Sequence, residues 1–367
     1  MTARDLASGT ENAKAPVHWT RRVFLILVSL ALSLAAAECL VRLSVPVRNV
    51  GPSFTRFDPV YGKRLKTDFT CRRDTPEFTM HFRTNRLGFR GSQPTGELRN
   101  VILFVGDSFT LGYGVSDGQE FPALIEAALV ERHGPGPGAA SVINAGIGDS
   151  GNGHWVKFLR DQAAQYEPRL VVLQVTGNDF GDNLREGLFD LSPDGELAER
   201  PVKQAGWARR AQAVIEAVPG LSYSHLIGLL RQALTPQPAA APLHKTAAAH
   251  EPAAWSGAEK LTFALIERSL GLCRQNRWPT ILVAVEIPAA QNEELHRRCA
   301  AFDTPVLEVP RKKTKPDLYF QTDGHWNADG HAIVAQMLMA HIETLAVFET
   351  RVARPKRERP DAPPTPP

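Results

Sequence analysis

A parallel α/β sheet is the fold class this sequence predicts, and three observations predict it. Val101-Ile-Leu-Phe-Val105, Ser141-Val-Ile-Asn-Ala145 and Leu170-Val-Val-Leu-Gln-Val175 are short apolar runs of strand length. Each stops at a glycine-rich or polar segment: Gly106-Asp-Ser108, Gly146-Ile-Gly-Asp-Ser-Gly151 and Thr176-Gly-Asn-Asp179. Amphipathic stretches fill the intervals between them. Gln119–Arg132 carries Pro122 near its start and apolar Leu124, Ile125, Ala128 and Leu129, and His154–Tyr166 comes after the second run. That β-α-β rhythm requires parallel strands joined by right-handed crossovers.

At 367 residues the chain holds one large domain with attachments, or two small ones. Its 43% apolar and 22% charged content is ordinary for a globular body, so a sizeable core can form. The formal charge of +3 sits at the ends, in Arg4, Lys14, Arg21 and Arg22 and again in Arg351, Arg354, Lys356, Arg357 and Arg359. The near-neutral body argues against a nucleic-acid surface.

Val23–Val41 is apolar throughout except for Glu38. As a helix it rises about 28 Å at ~1.5 Å per residue, close to the apolar thickness of a bilayer. Basic residues precede it, which predicts residues 1–22 in the cytoplasm and the body outside. Ala35-Ala-Ala37 would suit a signal peptidase, and Thr20-Arg-Arg-Val-Phe-Leu25 resembles a twin-arginine export signal. An uncleaved anchor over 23–41 is the favoured reading, and all three export readings put the body outside the cytoplasm.

Residues 50–97 form a β-rich lead-in, with Phe54, Phe57, Tyr61, Phe69, Phe78-Thr-Met-His-Phe-Arg-Thr-Asn85 and Gly88-Phe-Arg-Gly91. The main domain spans 98–348. An insertion over about 183–257 contains helical stretches near Val202–Ala217 and Ser222–Leu234, then an Ala/Pro-rich run, Pro236–Ala254, that reads as a mobile loop or lid. Helix Ala258–Gln275, strand Thr280–Ile287, a short strand Val306–Val309 and a last helix Ala328–Phe348 complete the domain. Residues 349–367 are charged and proline-rich, a disordered tail. Of the cysteines, Cys39 lies in the apolar segment; Cys71, Cys273 and Cys299 could form at most one disulfide and have no metal-ligand spacing. Buried thiols are the expectation, with no metal and no cofactor.

In an open parallel sheet, ligands bind at the carboxyl ends of the strands. Ser108 therefore stands where a nucleophile would, its own N–H facing a developing oxyanion. Against that, a lone Gly-Asp-Ser is often just a turn. Asn178 ends the third strand with an amide able to donate to an oxyanion, although Asn-Asp is also a common turn former. Thr322-Asp-Gly-His325 supplies a base, His325, and an acid to orient it, Asp323. Asp329-Gly-His331 repeats the tripeptide, but Asp329 is expected to cap the last helix and leave His331 inside its first turn. Residues two apart on a helix face different ways, so the first pair is preferred. Gly146–Gly151 also spells the dinucleotide fingerprint G-x-G-x-x-G. It comes after the second strand, lacks the acidic ribose partner and would lie in an exported domain, so a close backbone approach to substrate explains its glycines better. The Ser…Asp…His order is that of α/β-hydrolases, but Gly106-Asp-Ser-Phe-Thr110 lacks the second glycine of their elbow.

Gly106-Asp-Ser-Phe-Thr110, the glycine loop after Asn144, Gly177-Asn-Asp179 and Asp323-Gly-His-Trp-Asn327 resemble, in order, the blocks of SGNH (GDSL) hydrolases. The resemblance runs from about Asn100 to Leu345, omitting the insertion. Thr84-Asn-Arg-Leu-Gly-Phe-Arg90 is similar to the preamble of membrane-anchored members. The resemblance implies a flavodoxin-like three-layer α/β/α sandwich, with Ser108 as nucleophile, His325 as base, and Asn178, a loop glycine and the Ser108 N–H as oxyanion hole. Two departures stand out. Asp149 occupies the usual position of the loop glycine, so its N–H or that of Gly148 would donate, with the Asp149 carboxylate turned away. The acid–base pair is Asp-x-His rather than Asp-x-x-His, a spacing similar to exported polysaccharide O-acetyltransferases and related esterases. The resemblance and the site residues together imply a serine esterase acting on O-acyl groups, acetyl first, of an extracytoplasmic carbohydrate or similar ester. An O-acyltransferase with the same triad is the alternative, and a catalytically silent carbohydrate-binding protein a third reading. The other expected partner is the membrane, through the N-terminal helix.

Overall fold

In a computed structural model, the structure describes residues 17–45, 47, 50–94, 96–134, 140–202, 206–218, 220–234 and 255–345. Helix α1 (Val17–Ser44) is the first described element; it is long and apolar enough to cross a membrane, and no residue of its most apolar 18-residue stretch is buried in the protein. Two antiparallel hairpins come next, β1 (Thr55–Asp58) with β2 (Gly62–Leu65) and β3 (Thr70–Asp74) with β4 (Thr79–Arg83). Phe54, Leu65, Phe78, Met80 and Phe82 of this lead-in pack on Leu111 and Ile147 of the main domain. Arg90 bridges antiparallel to Asn144, so the lead-in also extends one edge of the main sheet.

The main domain runs β5 (Ile102–Val105), α2 (Ser108–Leu111), α3 (Phe121–His133), β6 (Val142–Asn144), α4 (Asn152–Asp161), β7 (Leu170–Thr176) and α5 (Asp179–Glu186). A hairpin, β8 (Phe189–Leu191) and β9 (Leu197–Glu199), comes next, then α6 (Gly206–Ala217) and α7 (His225–Leu234). The chain continues through α8 (Gly257–Gln275), β10 (Thr280–Val285), α9 (Ala289–Ala300), β11 (Val306–Glu308) and α10 (Ala328–Thr344). Five strands form one parallel sheet in the order β11-β10-β7-β5-β6.

The strands are apolar on both faces because both are covered. Leu103, Val105, Val171, Leu173, Leu282 and Ala284 point into one core with α4 and α8. Ile102, Phe104, Leu170, Val172, Ile281 and Val283 point into the other with α3 and α10. The architecture is therefore the three-layer α/β/α sandwich.

The helices start where local chemistry lets them. Pro122 occupies the first turn of α3, and Ser256 and Glu259 form a capping box on α8. The expected cap of the last helix is corrected: Asn327, not Asp329, accepts the Gly330 N–H at 3.0 Å, and Asp329 is exposed in the first turn. Among the elements that escaped the sequence reading are α5, the β8–β9 hairpin and α9. The β8–β9 hairpin opens the insertion, and α9 is so polar that only Leu295 and Cys299 are buried. The helix expected from Ser222 is instead a 3₁₀ turn, Leu221–Tyr223, with α7 after it. The second amphipathic stretch ends at Asp161, before a separate 3₁₀ turn, Ala163–Tyr166. The Ala/Pro-rich run and the charged tail lie outside the described residues. All four cysteines are free thiols, with Cys273 and Cys299 buried.

Candidate active site

The turn after β5 is shaped by close packing. A Cβ at Gly106 would lie 2.2 Å from Thr110 Oγ1 and 2.6 Å from Gln174 Oε1, so only glycine fits there. Gln174, on neighbouring β7, accepts hydrogen bonds from the Asp107 N–H (3.3 Å), the Thr110 N–H (3.2 Å) and the Thr110 hydroxyl (2.8 Å). Asp107 caps α2 by accepting the Phe109 N–H at 2.8 Å. Ser108 is thereby the first residue of a one-turn helix, partly exposed, with its N–H at a terminus that has no intrahelical acceptor.

The far end of that turn is closed by Arg90. Its fully buried guanidinium donates to the carbonyls of Leu111 (2.7 Å), Gly112 and Val115 (2.7 Å). Asp117 (3.6 Å) and Glu120 (3.7 Å) balance the charge. Burial holds the Glu120 carboxyl above its ordinary range although Arg90 pulls it down.

His325 reaches Ser108 from a loop 217 residues away: its Nε2 lies 2.7 Å from Ser108 Oγ. Its Nδ1 is in direct contact with Asp323 Oδ1. Two side chains only two residues apart meet because Gly324, at φ +90°, folds the chain back between them. The rings of Phe109 and Tyr113 flank the imidazole, with centroids 4.9 and 5.1 Å away. Glu77, between β3 and β4, accepts the Thr322 N–H at 2.8 Å and the Asp323 N–H at 2.7 Å. The lead-in thus holds the loop of Asp323 and His325 at one point and the turn of Ser108 at another.

His331 has a different environment. It is buried in α10, stacked on Phe121 (interplanar angle 14°), and its Nδ1 accepts the Phe121 N–H at 3.3 Å. Burial pushes its pKa down to about 3, so the ring is neutral.

Around the serine, Gly148 lies close by, since a Cβ built on it would sit 3.9 Å from Ser108 Cβ. Asp149 is exposed in the left-handed region (φ +55°), and its carbonyl accepts from Lys63 and from Arg185 (3.3 Å). Asn178 comes directly after β7 and donates from Nδ2 to Asp182 at 2.8 Å, which fixes its amide and leaves the second N–H of that nitrogen over. Asp182 is held in turn by Arg185 at 3.0 Å.

Beneath the site lies a second carboxylate pair. Asp107 and Asp179 are both fully buried; burial raises Asp107 to about 6 and, together with the charge of Asp107, puts Asp179 well above its usual range. Asp179 accepts from Asn152 Nδ2 (2.9 Å) and the Thr176 N–H (3.1 Å), tying α4, β7 and α5 together. Among the described residues, no group of His, Cys, Asp and Glu is arranged to hold a metal ion. The sequence reading missed Glu77, Arg90 and Gln174. None was given a role there, although Arg90 lies in the segment Gly88–Gly91 and Gln174 in the third apolar run, Leu170–Val175.

Two outcomes are expected. Glu77→Ala should lower kcat roughly 10- to 100-fold with KM near its parental value, because displacing a catalytic group by an ångström is worth about that much. An unchanged kcat would show that the loop holds its own position. The buried pair has folded-state pKa values above the unfolded ones, so its stability is full below about pH 4 and is lost as pH rises through about 6. Asp179→Asn should therefore gain in urea-unfolding midpoint over the parent progressively from pH 4 to 7. A difference that stays flat with pH would mean that the two carboxyls do not oppose one another.

No curated protein matches the chain. Among solved structures it is similar to TesA, at 15% identity and a TM-score of 0.40, covering 67% of this chain and 99% of that one. It is similar to the psychrotrophic esterase EstA from Pseudoalteromonas sp., at 13% identity and a TM-score of 0.40, covering 67% and 98%. A two-domain esterase active on acetylated mannans matches at 16% identity and a TM-score of 0.36, covering 71% and 52%. At these scores the likenesses carry nothing about substrate. The model of the GDSL-like Lipase/Acylhydrolase family matches residues 104–333, more than half of the chain. With the parallel α/β sheet already described, that match makes the chain a member of the GDSL-like lipase/acylhydrolase family and an ester-hydrolysing enzyme.

Proposed function

We propose that the chain is a serine esterase that removes O-acyl groups, acetyl first, from an extracytoplasmic carbohydrate or similar ester. The observation that carries this reading is the continuous chain from Ser108 Oγ through His325 to Asp323. His325 Nε2 takes the hydroxyl proton as Oγ attacks the acyl carbon, and Asp323 holds the ring and stabilises the imidazolium. The tetrahedral oxyanion is received by the Ser108 N–H, by the N–H of Gly148 or Asp149, and by the second amide N–H of Asn178. In support, the N–H groups of Ser108, Gly148 and Asp149 find no acceptor among the described residues. His325 then returns its proton to the departing sugar hydroxyl, leaving an acyl ester on Ser108. It next takes a proton from water as the water oxygen attacks the acyl carbon, and gives that proton to Ser108 Oγ as the ester bond breaks and the acid leaves.

The carbohydrate part rests on the apolar helix, which would hold the body outside the cytoplasm, and on the Asp-x-His spacing. With a sugar hydroxyl in place of water the same triad transfers the acyl group, so the assay must include an acceptor.

The test combines a fluorophosphonate probe with turnover of O-acetylated sugars, with and without a free sugar acceptor. Ser108→Ala should lose labelling and turnover, by up to roughly 10⁶-fold. His325→Ala should lose about 10²–10⁴-fold. His331→Ala should keep activity and lose ~0.5–3 kcal/mol of stability. Labelling that survives Ser108→Ala, or a dead His331→Ala that folds normally beside an active His325→Ala, would reject these assignments. Acetylated acceptor formed faster than free acetate would make the enzyme a transferase. For the location, a reporter fused after Leu345 should be active only if it is of the type that works outside the cytoplasm. Cytoplasmic activity would overturn both the anchor and the envelope substrate.

A further inference from the structure

Helix α6 is amphipathic the wrong way round for a surface helix. Trp207, Ala211 and Val214, with Val218 just beyond its end, fall at spacings of four, three and four residues, which is one stripe of a helix. All four are exposed, Trp207 by 68%, Val214 by 59% and Val218 by 46%. Its less exposed side carries Gln212 and Ile215, with Glu216 beside them. Glu216 pairs with Lys66 of the lead-in at 2.8 Å, and Gln212 accepts from Arg231 of α7 at 3.3 Å. Helix α7 adds Leu230, 56% exposed, while its Leu226 and Leu229 pack with Val41, Val45, Val47 and Val50 at the end of α1.

What sets the level of this pair is Glu38. The one acidic residue of α1 accepts hydrogen bonds from Ser224 Oγ (2.6 Å), the His225 N–H (2.8 Å) and the Leu226 N–H (3.0 Å). It therefore caps the N-terminus of α7 from another helix, supplying acceptors that the first turn of α7 lacks. Glu38 lies six residues before Ser44, so the clasp sits about 9 Å from the end of α1 at ~1.5 Å per residue. Measured from the end of the apolar run at Val41, Glu38 lies about 5 Å in at ~1.5 Å per residue, close beneath the level at which a spanning helix leaves the hydrocarbon for the headgroup layer. An outward apolar stripe held at that level meets lipid rather than water.

We propose that α6 and α7 form a platform lying in the interface of the bilayer that α1 spans, with Trp207, Val214, Val218 and Leu230 set into the lipid. The partner is the membrane surface itself, and the consequence is that the body sits on the bilayer in one orientation instead of swinging on a tether. The proposal rests on α1 being a membrane anchor, so the experiment must separate the two.

Tryptophan quenching does so in the full-length protein, reconstituted into nanodiscs of phosphatidylcholine and phosphatidylglycerol with or without bromine on the upper acyl chain. The difference between parent and Trp19→Phe reports the start of α1, where Trp19 is 74% exposed. The difference between parent and Trp207→Phe reports the platform. Both components should dim roughly two-fold in brominated discs, since interfacial helices sink about 5–10 Å into the headgroup and acyl boundary. Glu38→Ala should restore the Trp207 component and leave that of Trp19 quenched. A Trp207 component equally bright in both discs beside a quenched Trp19 would overturn the platform and keep the anchor. If neither is quenched, the anchor reading falls and takes the platform with it.

Discussion

The buried guanidinium of Arg90 is the constraint on which the rest of the site depends. A one-turn helix such as α2 cannot satisfy its own carbonyls, and those at its C-terminal end face the protein interior rather than water. Arg90 supplies the donors there, to Leu111, Gly112 and Val115, and Asp117 and Glu120 make its burial tolerable. Removing one member of such a set strands the others, at about 3–5 kcal/mol. Since Arg90 also bridges to Asn144 on edge strand β6, the turn that carries Ser108 is fixed to the sheet from both ends. Asn144 adds a third fastening, its Nδ2 donating to the Thr110 carbonyl at 2.9 Å.

The parts legible in the sequence were those whose signal is local. A strand apolar on both faces and ended by Gly106, Gly146 or Gly177 announces itself, and so does the sheet edge on which those ends gather. Helix α9 was not legible, because it buries only Leu295 and Cys299 and presents no stripe. The β8–β9 hairpin has strands of three residues each, too short for alternation to register. The cap of α10 was misassigned for a related reason: Asn327 and Asp329 are both good caps, and only the backbone geometry selects Asn327. Glu77 and Gln174 act through contacts made over long sequence separations, which no local pattern encodes.

The two Asp-Gly-His tripeptides show how little the local sequence decides by itself. In the first, Gly324 takes a left-handed conformation and lets Asp323 fold onto His325, while Trp326 inserts beneath against Phe109. In the second, Gly330 lies inside α10, where an added Cβ would come within 2.3 Å of the Leu318 carbonyl oxygen. The same three residues thus make a turn that displays a histidine in one place and a close contact that buries one in the other. Burial leaves His331 neutral and occupied with the Phe121 N–H, so it has no lone pair to spare for a substrate proton on Nδ1.

The sheet alone does not align this site. It places Ser108 and Asn178 at neighbouring strand ends, because β5 and β7 pair directly, but His325 and Asp323 come from a loop that belongs to neither strand. A 2.7 Å contact between groups 217 residues apart needs something that touches both, and the lead-in does. Through Arg90 it holds the turn of Ser108; through Glu77 it holds the loop of Asp323 and His325. Its apolar core of Phe54, Phe78, Met80 and Phe82 rests on Leu111, the last residue of α2, and on Ile147 of the glycine loop. The lead-in is thus part of the frame that aligns Ser108 with His325 rather than a mere spacer after α1. Lys66 in that same segment pairs with Glu216 of α6, so the frame that sets the Ser108–His325 contact is also the surface on which the outward apolar helix is mounted.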